Sequence, residues 1–145
     1  MIDFNRKIVL IHPPRCGGSS IEDALFGGSY FKMNPWLKHR SELEYRRIIQ
    51  LRGEDVSEYK WYGLVRNPFS RLQSMYARGY WDISAKYPNT IEKRLQTLSF
   101  ARFLSLVQPA SHEGKNLRIT EYYDGNSNIQ IFDIEELSKF AEVLG

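Results

Sequence analysis

The sequence predicts an α/β protein with a small, mostly parallel β-sheet flanked by helices. Two short runs rich in β-branched and aromatic residues, at 8–11 and 61–65, are typical of buried strands, and a run at 129–132 is a third plausible strand. A segment with helical spacing of apolar residues follows each run, and this alternation favours parallel strands joined by helices. The length of 145 residues suits one domain with its own core, so we expect a single domain over 1–145.

The first of these units spans residues 8–25 and reads IVLIHPPRCGGSSIEDAL. Its apolar run at 8–11 predicts a strand buried on both faces, and the two prolines that follow end it. The glycine pair Gly17-Gly18 allows a sharp loop. Helical spacing of apolar residues begins at residue 19 or 20. The segment therefore predicts a strand, a glycine loop and a helix in direct succession.

This succession favours anion binding at the loop. The first backbone N–H groups of a helix have no partner within the helix, and together with the helix dipole they attract negative charge. Arg15 and the hydroxyl groups of Ser19 and Ser20 add further donors at the same place. We therefore expect a phosphate or sulfate group to bind at this loop.

The next helix carries a capping signal at its start. Ser41 with Glu44 three residues later is the pattern of a capping box, in which each residue satisfies a backbone N–H group of the other. The pattern predicts a helix over 43–51, which Gly53 ends. A short strand is also predicted at 29–33.

The second buried strand, 61–65, runs directly into a further helix. Asn67 suits the cap position and Pro68 the first helical position, so the helix should extend to about residue 78. We expect its buried face to hold three apolar residues: Phe69, Leu72 and Tyr76. We expect its polar face to carry Arg71, Ser74 and Arg78.

Arg66 stands at the carboxyl end of this second strand. Ligands of open α/β sheets bind at the carboxyl ends of strands. Since Ser74 lies two turns along the following helix, Arg66 and Ser74 predict a second anion site beside the first.

The last third of the chain predicts one more strand–helix pair. The strand at 129–132 precedes Asp133 and Glu136, which we expect to cap a helix over 137–144. Before this strand, Ser99 is expected to open a helix that ends at Pro109.

Composition narrows the class of protein. A net charge of +3 without a basic tail argues against nucleic-acid binding, and the single cysteine excludes a disulfide framework within the chain. No apolar run approaches the length of a membrane span or of a signal peptide, so a cytoplasmic protein without membrane contact is expected.

Two segments together resemble the PAPS-dependent sulfotransferases of the carbohydrate type, which act on heparan and chondroitin. HPPRCGGSS at 12–20 resembles the family's HIPKTGGTS loop, and GLVRNPFSRLQS at 63–74 is similar to its FVRNPxxRLxS segment. Weaker similarity extends over 38–44, 98–104 and 129–145, in the family's order. The loop lysine and threonine of the family are Arg15 and Cys16 here; arginine keeps the charge but is not equivalent to lysine.

The resemblance implies a compact version of the P-loop-like sulfotransferase fold. It also implies transfer of a sulfuryl group from the donor PAPS to a hydroxyl or amine of a carbohydrate or small molecule, with release of PAP and without a metal. By this resemblance the loop holds the 5′-phosphosulfate, while Arg66 and Ser74 hold the 3′-phosphate. The implied donor-binding residues are Arg15, Cys16, Gly17, Gly18, Ser19, Ser20, Arg66 and Ser74.

The reaction also needs a general base and charge stabilisation. His39 is our candidate base, because it lies between the two donor motifs as the base does in related sulfotransferases; an imidazole with a pKa of about 6.5 accepts a proton at neutral pH. Arg15 is the candidate catalytic cation. His112 and Glu22 are alternative bases, and His12 is expected to orient the loop.

Other interpretations of the loop fit less well. A Cys-x5-Arg phosphatase needs arginine at position 22, where Glu22 stands, and a P-loop NTPase needs a lysine after the last loop glycine. The main alternative is a non-catalytic PAP- or PAPS-binding domain without a complete acceptor site, since family members commonly continue beyond the point where this chain stops. The acceptor and the oligomeric state stay open.

Overall fold

A computed structural model gives the architecture of the protein. It describes residues 1–26, 35–77, 99–101, 119–125 and 128–144. These residues belong to two compact units: Met1–Arg66 together with Ile119–Gly145, and Asn67–Arg118.

The first unit contains a mixed four-stranded sheet. Its strands are β1 (Ile2–Asp3), β2 (Ile8–Ile11), β3 (Lys60–Val65) and β4 (Ile129–Asp133). They lie side by side in that order, with β1 antiparallel to β2 and with β2, β3 and β4 mutually parallel. The α/β class and the mostly parallel sheet are therefore confirmed. Strand β1 was not predicted, because two residues carry no readable periodicity.

Four α-helices lie within the described residues: α1 (Gly18–Phe26), α2 (Glu42–Leu51), α3 (Pro68–Ala77) and α4 (Leu137–Leu144). Short 3₁₀ turns stand at Pro35–Leu37, Val56–Glu58, Ile119–Tyr122 and Ile134–Glu136. Helices α1 and α2 both fall between the parallel strands β2 and β3. The predicted succession of strand, loop and helix is thus present at both ends of the chain.

The two faces of the sheet bury separate apolar clusters, because successive strand residues point to opposite faces. On one face, Val9 and Trp61 pack with Tyr45 and Ile49 of α2. On the other face, residues including Leu10, Leu64, Ile21 of α1 and Phe140 of α4 form the second cluster. Strands β2 and β3 are buried on both sides, as their continuous apolar runs predict, whereas β4 exposes Gln130 and Ile131.

The predicted capping box opens helix α2. The Ser41 hydroxyl accepts a hydrogen bond of 3.4 Å from the Glu44 amide, and the Glu44 carboxylate accepts one of 2.8 Å from the Ser41 amide. Gly53, with φ at +75°, follows the end of the helix. Both signals are local, and the structure confirms both.

Helix α3 has the predicted start, but its buried face differs from the prediction. Asn67 accepts hydrogen bonds from the amides of Phe69 and Ser70, as a cap residue does. However, Phe69 is 77% exposed, whereas Arg71 and Met75 are buried. The prediction that Phe69 is buried and Arg71 lies on a polar face is wrong. The buried stripe is rotated by about a third of a turn, and an isolated helical pattern does not fix this rotation.

The predicted cap at Asp133 lies within the described residues. Asp133 caps the 3₁₀ turn Ile134–Glu136, accepting from the Glu135 amide at 3.0 Å, and this turn leads into helix α4. The strand expected at 29–33 lies outside the described residues, as does most of the helix expected after Ser99.

Candidate functional site

The anion loop, residues 12–18, connects β2 to α1 with an unusual backbone. Arg15 has φ at +68° and Gly17 has φ at +76°. The left-handed conformation costs a non-glycine residue about 1–2 kcal/mol, so Arg15 holds local strain of the kind often found at binding sites. The resulting turn closes through a hydrogen bond of 3.2 Å from the Cys16 amide to the Pro13 carbonyl.

Three consecutive amide groups, at the end of the anion loop and the start of α1, take no part as donors in the backbone hydrogen bonds of this segment. The Gly17 carbonyl accepts from the amides of Ser20 at 3.1 Å and Ile21 at 3.3 Å. Within the described part of the chain, the amides of Gly17, Gly18 and Ser19 donate no backbone hydrogen bond. They are the orphan donors of the first turn of α1, a position at which helices often bind anions; anion binding here stays a prediction.

The two glycines of the loop are required by their surroundings. A Cβ atom on Gly18 would lie 2.0 Å from Nδ1 of His12, so the imidazole ring packs directly on the loop backbone. A Cβ atom on Gly17 would lie 2.7 Å from the side chain of Ile134, and its φ is positive. Close approach, as well as flexibility, explains the glycine pair.

Behind the loop, His12 forms a buried pair with Glu22. Nε2 of His12 lies 2.8 Å from Oε1 of Glu22, and both side chains are almost completely buried. Glu22 lies on α1, one turn after the helix begins. Glu22, which the sequence offers as an alternative base, is thus the buried neighbour of His12; a role of His12 in orienting the loop stays a prediction.

Burial shifts the pKa values of both partners towards their neutral forms. Desolvation raises the pKa of Glu22 to about 7, with the nearby charge of Asp23 adding to the effect. Desolvation also lowers the pKa of His12 well below its ordinary value, so the ring is neutral at physiological pH. The pair therefore holds a neutral imidazole beside a carboxyl group that titrates near neutrality.

His39 meets the loop from the segment before α2. Its Nδ1 lies 3.0 Å from the carbonyl oxygen of His12, and the two imidazole rings are in edge contact at 4.8 Å between centroids. Since a carbonyl can only accept, Nδ1 of His39 carries the hydrogen and Nε2 is the basic nitrogen of the neutral ring. His39 also has a positive φ, at +54°. The candidate base thus stands beside the anion loop with a defined tautomer.

Arg66 joins the second motif to the first. Its Nη1 donates a hydrogen bond of 3.2 Å to the carbonyl oxygen of Arg15. The contact brings the residue after β3 against the residue at the tip of the anion loop. The anion loop and Arg66, which both belong to the first unit, are therefore neighbours at the carboxyl ends of β2 and β3.

Tyr123 is a residue of this site that the sequence does not predict. Its hydroxyl donates to the Leu64 carbonyl at 2.7 Å and lies 3.3 Å from the Ile11 carbonyl. Its ring covers Gly63, where a Cβ atom would approach within 2.6 Å. A tyrosine in an irregular stretch gives no signal of such a distant contact; only the glycine within β3 hints at a close approach.

The other expected site residues are placed as follows. The Cys16 thiol is buried, and the Ser19 and Ser20 side chains are exposed at the start of α1. Ser74 lies in the second unit, half-buried on α3, so its pairing with Arg66 stays a prediction. His112 lies outside the described residues.

Neither a metal-ligand cluster nor a membrane-spanning helix is found among the described residues. Among them, no group of three or more histidine, cysteine, aspartate or glutamate side chains is arranged to hold a metal ion. No helix in those same ranges has the length and apolar character needed to cross a bilayer.

Comparison with known proteins adds no relative. No family model, no curated protein and no solved structure matches this chain.

Proposed function

We propose that this protein is a PAPS-dependent sulfotransferase, which transfers a sulfuryl group to a hydroxyl or amine of a carbohydrate or small molecule and releases PAP. The observation that carries the proposal is the hydrogen bond of 3.2 Å between Arg66 and the Arg15 carbonyl. It joins the two segments that resemble the donor-binding motifs of that family. Arg15 and Arg66, which follow the neighbouring strands β2 and β3, would suit a donor with phosphate groups at both ends.

The anion loop suits the reactive end of such a donor. The amides of Gly17, Gly18 and Ser19 and the dipole of α1 offer fixed positive charge to a phosphosulfate. Arg15, in the same loop, adds a full charge that offsets the negative charge developing on the bridging oxygen during transfer. This loop would therefore both hold the donor and stabilise its leaving group.

Arg66 suits the far end of the donor. Its planar guanidinium carries five donor hydrogens, of which the contact with Arg15 uses one. A 3′-phosphate can be bound by the others, with Ser74 as the second ligand that the family resemblance implies. This arrangement would separate PAPS from nucleotides that lack a 3′-phosphate.

His39 suits the role of general base. With Nδ1–H donated to the His12 carbonyl, Nε2 takes the acceptor proton while the acceptor oxygen or nitrogen bonds to sulfur. The bond from sulfur to the bridging phosphate oxygen breaks in the same step, and its electron pair stays with PAP. As in phosphoryl transfer, most of the rate enhancement comes from positioning and charge stabilisation.

Calorimetric titration with PAP tests the donor site. We expect the wild type to bind PAP at least tenfold more tightly than 5′-AMP, and Arg66→Ala and Ser74→Ala to reduce this preference. Arg47→Ala is the matched control, since it removes an exposed arginine of α2 far along the chain from both motifs. If the wild type does not bind PAP, or if Arg66→Ala behaves like Arg47→Ala, the proposal is wrong.

A turnover assay distinguishes an active sulfotransferase from a domain that only binds PAP or PAPS. We expect release of PAP from labelled PAPS in the presence of an acceptor panel, and His39→Ala should lower the rate by about 100-fold or more while sparing PAP affinity. Retained turnover would leave His112 as the alternative base, because Glu22 is buried behind the loop. PAP binding without turnover on any acceptor would favour the non-catalytic alternative.

A further inference from the structure

The pair formed by Glu22 and His12 has no direct role in the proposed reaction. Both side chains are at most 1% exposed, so neither reaches a ligand at the loop surface. A buried carboxyl group is costly unless a polar group stands beside it, and here Nε2 of the His12 imidazole lies 2.8 Å from the carboxyl oxygen. A buried pair of this kind behind a binding loop indicates a role other than direct contact with the ligand.

His12 connects Glu22 to two parts of the site, the backbone of Gly18 and the side chain of His39. Its ring packs on the backbone of Gly18, whose amide is one of the loop donors. Its carbonyl oxygen accepts from Nδ1 of His39, and its ring contacts the ring of His39. Movement of His12 would therefore displace both an anion donor and the candidate base.

We propose that Glu22, acting through the ring of His12, holds the anion loop and His39 in place, and that its carboxyl group gains a proton when an anion binds. The second half of this proposal rests on the proposed function, since it needs a ligand at the loop. Glu22 is thus a positioning residue rather than a catalytic one.

The coupling to a proton follows from the geometry. Only one imidazole ring separates the Glu22 carboxyl group from Gly18 of the loop. In this dry environment a negative charge on Glu22 opposes an anion at the loop, and a neutral carboxyl group does not. Anion binding must therefore favour the protonated form of Glu22.

The charges around Glu22 allow this titration near neutral pH. The groups that act on it besides His12 are the buried α-amino group of Met1, Lys38 before His39, and Asp23 on its own helix. Burial lowers the pKa of the Met1 amino group to about 4, and where this group is charged it favours ionised Glu22. Lys38 favours ionised Glu22 and Asp23 opposes it.

Nitrogen NMR of the histidine rings tests the positioning role without any ligand. In the wild type we expect His39 in the tautomer with hydrogen on Nδ1, and an inflection near pH 7 in the His12 ring signals, which reports Glu22. Glu22→Gln keeps a hydrogen-bonding group of the same shape, so it should retain the His39 tautomer and lose the inflection. Glu22→Met should leave His39 in mixed tautomers.

Asp23→Asn is the matched control, because Asp23 is the exposed acidic neighbour on α1. It should keep both the tautomer and the inflection. An inflection that persists in Glu22→Gln would overturn the proposal, and so would a folded Glu22→Met protein with an unchanged His39 spectrum. If Glu22→Met does not fold, the comparison of the wild type with Glu22→Gln decides alone.

The pH dependence of PAP affinity tests the proton coupling. The phosphates of PAP titrate themselves, so the measured quantity is the ratio of the wild-type Kd to the Glu22→Gln Kd, in which the ligand contribution cancels. Uptake of one proton predicts that this ratio rises by up to about tenfold between pH 6 and pH 8. A ratio that does not change with pH contradicts the coupling.

The two experiments separate the failure of each proposal. If the wild type binds no PAP, the proposed function is wrong, while the ring spectra still decide whether Glu22 positions His39. If PAP binds with a constant ratio and the tautomer of His39 does not depend on Glu22, the proposed function stands and this inference fails.

Discussion

The hydroxyl group of Tyr123 donates a hydrogen bond of 2.7 Å to the carbonyl oxygen of Leu64, near the end of β3. The same hydroxyl lies 3.3 Å from the carbonyl oxygen of Ile11, the last residue of β2. These two strands lead into the anion loop and into Arg66. A side chain from the last third of the chain thus ties together the ends of the strands that carry both motifs.

Tyr123→Phe should lower the free energy of unfolding by about 1 kcal/mol. The ring would still cover Gly63, but the Leu64 carbonyl would lose its donor. Urea denaturation measures the change. Thr120→Val is the control, because it removes an exposed hydroxyl from the 3₁₀ turn just before Tyr123. Equal effects of the two substitutions would contradict a specific role for the Tyr123 hydroxyl.

Gly18→Ala should destabilise the protein by roughly 3 kcal/mol, although alanine is the better helix former. The new methyl group would overlap the His12 ring, which Glu22 holds from the other side. Gly53→Ala provides the comparison: its Cβ meets nothing within 4 Å, so only the positive φ opposes it, at about 1 kcal/mol. Thermal and urea unfolding of both variants should rank them in this order, and the reverse order would show that His12 can move aside.

The stability of the wild type relative to Glu22→Gln should fall as pH rises from about 4.5 to about 7. Burial raises the pKa of Glu22 from 4.5 to about 7, so the folded state binds a proton that the unfolded state has already lost in this range. The contribution of Glu22 to the stability of the wild type, relative to Glu22→Gln, is fully present below pH 4.5 and is lost above pH 7. The difference between the two pKa values corresponds to about 3 kcal/mol.

Unfolding midpoints of both proteins, measured at several pH values, provide the check. The contributions of His12 and of the Met1 amino group are largely common to the two proteins, so the difference isolates Glu22. A difference that is constant across this range would mean that Glu22 is not buried in its neutral form.

Ser41→Ala should cost about 1 kcal/mol of stability, because the first turn of α2 loses its cap. Glu44→Gln keeps an acceptor oxygen for the Ser41 amide and should cost only a few tenths of a kcal/mol. Helical content by circular dichroism and the urea midpoint together measure both effects. Comparable losses in the two variants would contradict the reciprocal arrangement.

Local sequence signals predict much of this fold. The strands at Ile8–Ile11, Lys60–Val65 and Ile129–Asp133, and the capping box of Ser41, depend on apolar runs and on residues three positions apart. Such signals lie within one element. The orientation of α3 is different, because burial of Arg71 instead of Phe69 depends on what the helix packs against.

The candidate site was predictable to a similar extent. The glycine loop and Arg66 follow from their positions after apolar strands, and the structure brings them together. The partnership of His12 with Glu22 and the bridge made by Tyr123 could not be predicted, because each depends on the three-dimensional path of the chain. Patterns of apolar residues say nothing about which polar side chains meet in the interior.

The pairing of β2 with β3 also governs how the molecule assembles. Ile8 pairs with Lys60, and Trp61 pairs with Ile129, so the central strand is joined to its neighbours only across long stretches of chain. The entropy lost in closing such loops must be offset before the sheet gains stability, and folds dominated by distant contacts form slowly. A nascent chain that ends before residue 60 contains the anion loop but lacks the strand that buries β2. The anion loop and Arg66 can therefore come together only after β3 has been synthesised and has paired with β2.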